Sequence, residues 1–122
     1  MMRLLVAGLI FAGTMVSAQG MRDGDALFSD GELAEALLGA SHTFFDGGRS
    51  SFSTTDLYSY TYPDGGVAYG RYEVRDGSIV CTFFNHGFER CDTYVKNGER
   101  LVLINEEGVR FPVKTVEAGR AL

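Results

Sequence analysis

The chain has 122 residues, 45% of them hydrophobic, with 11 Lys and Arg against 16 Asp and Glu for a net charge of −5. That is room for one small domain and its core, and too little for two. The acidic balance repels phosphate backbones and anionic lipid headgroups, which excludes nucleic acid and membrane surfaces as natural partners.

In chain order, residues 1–18 come first. Arg3 precedes the apolar run Leu4 to Gly13, and Val16 and Ala18 put small residues ahead of Gln19, the layout of a cleavable secretory signal peptide. The run is too short to span a bilayer, which takes about 20 apolar residues. No cysteine follows the small residues, so the cleavage site offers no thiol for a lipid. A mature chain from Gln19 is expected, periplasmic or extracellular, with no membrane anchor after cleavage.

Residues 19–27 are polar, contain glycine and lack periodicity, and read as a flexible lead-in to a single β-rich domain over 28–118. A helix is predicted at about 30–38: Ser29 can cap it, Glu32 can reach back, Phe28 can pack on Leu33, and Gly39 can stop it. Leu33, Ala36 and Leu37 share a face. So short a helix must dock on something to persist.

From Ser41 onward, turn dipeptides at Asp46, Asp64, Asp76, Asn97 and Asn105 alternate with runs rich in Phe, Tyr, Val, Ile and Thr, the pattern of consecutive hairpins. Strands are predicted at Ser41 to Phe45, Ser51 to Tyr62, Val67 to Arg75, Ser78 to Phe84, Phe88 to Lys96, Glu99 to Ile104 and Val109 to Val116. Connections this short leave no room for parallel crossovers. The expected fold is mainly β, an antiparallel up-and-down meander curled into a small barrel or half-barrel, with one short N-terminal helix after the signal peptide.

The chain holds 2 cysteines, Cys81 and Cys91. If Asn85, His86 and Gly87 form a three-residue hairpin loop, the pairing runs outward from Phe84 with Phe88 and sets Cys81 directly opposite Cys91, within reach of a disulfide. An exporting compartment would oxidise them. A redox pair usually takes C-x-x-C at a helix start. A zinc site takes four ligands, and only His42 and His86 could join the cysteines. A structural staple is therefore expected, with no metal and no cofactor.

The run Tyr60 to Gly108 resembles a group of small secreted bacterial proteins of unknown function with a lipocalin-like half-barrel. The shared elements are the aromatic strand Tyr60 to Tyr62, the turns at Asp64 and Asp76, Gly70 with Tyr72, and the cysteine hairpin. The resemblance implies a fold more than an activity. Tyr60 to Val74 also looks like one copy of a membrane-occupation hairpin repeat, but a solitary repeat cannot build an array.

No catalytic residues are expected. His42 and His86 have no nucleophile context, and Glu73 and Glu89, the carboxylates with the most apolar neighbours, read as solvated strand positions. Tyr58, Tyr60 and Tyr62 alternate onto one face, where they either close the core against Val102, Ile104 and the helix or line a ligand cup. In the second case Tyr69 and Tyr72 are neighbours that do not share one face. His86, between Phe84 and Phe88, is either an idle polar tip or a loop a partner reads. The expected function is a secreted, non-enzymatic binding module for a small apolar ligand or a periplasmic protein. The alternative is an inhibitor of a secreted hydrolase such as lysozyme, whose basic surface an acidic barrel would suit.

Overall fold

The computed structural model describes residues 19–118, so the signal-peptide expectation for residues 1–18 lies outside the described residues. The chain runs β1 (Asp25–Leu27), α1 (Glu32–Leu37), β2 (Ser41–Phe44), β3 (Arg49–Phe52), β4 (Leu57–Thr61), β5 (Val67–Arg75), β6 (Ile79–Phe84), β7 (Glu89–Asn97), β8 (Arg100–Ile104) and β9 (Arg110–Glu117). From β2 to β9 every strand pairs antiparallel with the next, and β9 returns to pair with β2. The wall is therefore a closed eight-stranded barrel, which corrects the half-barrel alternative. Closure removes the exposed edges an open meander would leave, and at eight strands the interior is just wide enough for side chains to fill.

They fill it. Phe44, Phe52, Tyr58, Tyr72, Val80, Phe84, Tyr94, Leu103 and Val113 form one buried cluster, joined by Leu33 and Leu37 of α1. The helix sits at the end of the barrel where β2 begins and plugs it. It spans six residues rather than the predicted 30–38. Glu32 does reach back, accepting the Ser29 amide at 3.2 Å, but left-handed Gly31 holds the N-cap position, so the helix starts later than Ser29 would have placed it.

The predicted strand Ser51 to Tyr62 is two strands. Ser53 Oγ accepts the amides of Thr55 at 3.1 Å and Leu57 at 2.9 Å, turning the chain between β3 and β4 with a hydroxyl instead of a glycine.

Residues 19–27, expected to be loose, are tied down. β1 pairs with β7 at Ala26↔Lys96, on the edge that β6 vacates beyond Ile79↔Thr93. Val102 and Ile104 face out of the barrel, not into it as expected, and form with Val95 a second buried cluster that Met21 covers. The side chain of Asp25 is inaccessible and clamps Arg110 through two bonds of 2.7 and 3.0 Å.

Candidate functional site

The mouth lies opposite α1, ringed by the loops β2–β3, β4–β5, β6–β7 and β8–β9. Just inside it is a cup of about 110 Å³ lined by Phe44, Asp46, Tyr60, Arg90, Leu103, Asn105 and Phe111. Strand alternation puts Arg90, Asp92 and Tyr94 of β7 on the inner face. Arg90 Nε lies 2.9 Å from Asp92 Oδ2 but out of line with its N–H, so the contact is an ion pair rather than a hydrogen bond. Asp92 is 4% exposed and its Oδ1 has no hydrogen-bond partner among the described residues. Burial pushes Asp92 up to about 6, with Arg90 pulling against it. Thr82 Oγ1, across the ladder from Arg90, is also buried without a hydrogen-bond partner among the described residues.

The rim geometry is fixed locally. Asp46 Oδ1 accepts the Gly48 amide at 2.8 Å. Asn105 Oδ1 accepts the amides of Glu107 at 3.0 Å and Val109 at 2.9 Å, which leaves its Nδ2 as the free end. Tyr60 leans over Gly48 so closely that a Cβ there would sit on its hydroxyl. Burial, then the nearby Asp46 charge, push the Tyr60 phenol up.

The five predicted tyrosines divide. Tyr58 is core, sharing a 2.8 Å hydrogen bond with Ser50 and packed on Phe52 and Phe84; burial pushes it up to about 12. Tyr72 is core as well, its hydroxyl donating to the Ser53 carbonyl at 3.0 Å. Tyr60 lines the cup, and Tyr62 stands edge-on to it at the exposed rim, 4.9 Å between centroids. Tyr69 is 61% exposed on the outer wall. They do not line one cavity.

His86 is exposed at its turn but held, its ring parallel to Phe84 at 5.5 Å. Gly87, at φ +103°, takes the left-handed position the three-residue loop requires. Three residue pairs below the Phe84–Phe88 closing pair, Cys81 pairs with Cys91 and the disulfide is formed, 4.0 Å between Cα atoms. It lies on the outer wall, and no free thiol remains. His42 is in the core between Phe52 and Tyr94, far from His86 at the mouth. Among the described residues no three or more His, Cys, Asp or Glu side chains gather as a metal site would need. Glu73 and Glu89 are exposed.

Sequence reading missed Arg90 and Asp92. The available signal was their shared parity with Tyr94, which forces both inward if Tyr94 is core. A second trough, about 490 Å³, opens to solvent where β8 and β9 part, between Arg100, Leu101, Val113 and Lys114. It is more open than the cup, and Asn97, Glu99, Arg100, Lys114 and Thr115 give it a polar and charged lining. Comparison with protein-family models, curated proteins and solved structures finds no match.

Proposed function

We propose that this protein is a secreted, non-enzymatic interaction module that docks a protein partner through the loops around the barrel mouth. The observation that carries the reading is the filled interior: the cup inside the mouth, about 110 Å³, is well below the roughly 300 Å³ of a pocket for a drug-sized molecule, so the barrel does not enclose room for a carrier's apolar ligand. The four mouth loops instead present Phe45, Tyr62, Phe88 and Val109 as exposed apolar side chains, on connections held rigid by the barrel. The disulfide supports a compartment outside the cytoplasm, and no helix among the described residues is long and apolar enough to cross a membrane. The closed barrel with its cysteine hairpin is compatible with the small secreted bacterial proteins that the sequence resembles.

One observation favours a narrower reading. The mouth loops carry Asp46, Asp64, Glu106 and Glu107 and no Lys or Arg, so a basic surface is the complementary partner, as on a secreted hydrolase of the lysozyme kind. That step rests on charge and fold-level analogy. The test is affinity capture from the secreted fraction of the native host on immobilised wild type and on the Asp64→Arg/Glu107→Arg variant. A partner retained by the first and lost by the second is expected. Stoichiometric uptake of an apolar dye, displaced by a fatty acid, would overturn protein docking in favour of a carrier. Calorimetric titration with a basic lysozyme, showing no heat of binding at low salt, would remove the inhibitor reading alone.

A further inference from the structure

We propose that the mouth cup is a binding site for a small zwitterionic amino acid of glycine or alanine size, with Arg90 taking the carboxylate and Asp46 the ammonium. This goes beyond protein docking and does not depend on it. The cup holds one cation and one anion on its lining, Arg90 and Asp46. They do not pair with each other: among the described residues the ion pair of Arg90 is to Asp92 alone. Two opposite charges facing one cavity without bridging leave a gap that a ligand carrying both charges can span.

The hydrogen-bonding groups agree in direction. Arg90 turns its Nε toward Asp92 and its side chain is 34% exposed, which leaves the two terminal nitrogens for a bidentate carboxylate. The Asn105 side chain and the Tyr60 hydroxyl, the latter beside Asp46 over Gly48, add polar groups to the lining. Asp46 spends one oxygen on Gly48 and keeps the other for an ammonium. Phe44, Leu103 and Phe111 supply an apolar wall, whose low dielectric strengthens both charge contacts. Size sets the selectivity: a cup of about 110 Å³ admits a methyl side chain more readily than an aromatic one. The acidic loops around the mouth disfavour a free anion, so a ligand with no net charge enters more readily than a simple carboxylate.

The experiment is a titration of the oxidised, full-length mature protein followed by amide chemical shifts, with glycine and alanine as ligands. Acetate and methylammonium serve as single-charge controls and phenylalanine as the size control. Saturable shifts at Asp46, Arg90 and Asn105 are expected with glycine or alanine. Binding at least tenfold weaker is expected for acetate, methylammonium and phenylalanine. Asp46→Asn keeps the acceptor for the Gly48 amide and should fold normally while losing tenfold or more in affinity. Arg90→Lys keeps a cation beside Asp92 and should weaken binding similarly. Absence of saturable shifts at millimolar glycine and alanine would overturn the proposal. So would acetate binding as well as alanine, or Asp46→Asn binding unchanged.

Discussion

Two buried side chains, Asp92 and His42, respond to pH between about 4 and 6, and they act in opposite directions. Burial pushes Asp92 up from 3.8 to about 6, so its contribution to stability is full below about 3.8 and lost as pH rises through 6. Burial pushes His42 down from 6.5 to about 4, so its contribution is full above 6.5 and lost as pH falls through 4. Each term is on the order of 3 kcal/mol. Between pH 4 and 6 the slopes oppose, and the urea midpoint of the wild type should stay nearly level. Replacement exposes the hidden term. His42→Phe keeps the ring contacts to Phe52 and Tyr94 and should gain stability steadily as pH falls from 6 to 4. Asp92→Asn should lose stability across the same range. Parallel pH profiles for the two variants would contradict the assignment. The variant His42→Phe also removes a buried Nδ1 that has no hydrogen-bond partner among the described residues and should stabilise by about 1 kcal/mol at pH 7.

At the scale of elements, the cysteine hairpin is the most constrained unit. The disulfide joins positions 10 apart in sequence, and for a loop of that length the chain-entropy contribution is about 3 kcal/mol, a large share of the roughly 5 to 15 kcal/mol a domain has. Cys81→Ala/Cys91→Ala should lower the urea midpoint clearly while the far-ultraviolet circular dichroism is unchanged. Thiol titration of the unfolded, unreduced protein should find none free, and two would overturn the staple. This hairpin was legible because its turn residues have unambiguous backbone demands: Gly87 takes positive φ, and the register followed outward to the cysteines. The same holds for β5, β6, β7, β8 and β9, whose bounds fall within a residue of those expected. The β3–β4 turn was illegible because the Ser53 hydroxyl replaces glycine there. The cup was illegible for a related reason. A strand pattern assigns charges to the solvent face, whereas Arg90 and Asp92 point inward and offset each other's charge as an ion pair.

The molecule as a whole depends on a contact between its two ends that no local pattern encodes. Residues 19–27 lie across the outside of β7 and β8 and cover Val95, Val102 and Ile104, which would otherwise be an apolar patch on the barrel wall. Their anchor is Asp25, which receives Arg110 bidentately and Asn97 Nδ2 at 2.8 Å, while Arg110 also donates to the Gly20 carbonyl at 2.8 Å. The bond to Arg110 holds the Asp25 carboxyl well below the ordinary carboxylate range, so the stability this clamp contributes is full above the unfolded value near 3.8 and is lost as pH falls from there through the lowered folded value. Asp25→Ala leaves the Arg110 guanidinium, 11% exposed, without its anion and should cost about 2 to 3 kcal/mol. Asp25→Leu/Arg110→Met should recover most of that loss, because an apolar pair has no charge to desolvate. Deleting residues 19–27 should do more than either. It uncovers the apolar cluster as well as the guanidinium, so the shortened protein should bind an apolar dye on its wall and self-associate on gel filtration. A deletion variant that remains monomeric with an unchanged urea midpoint would show that the strap only rests on the barrel and does not complete it.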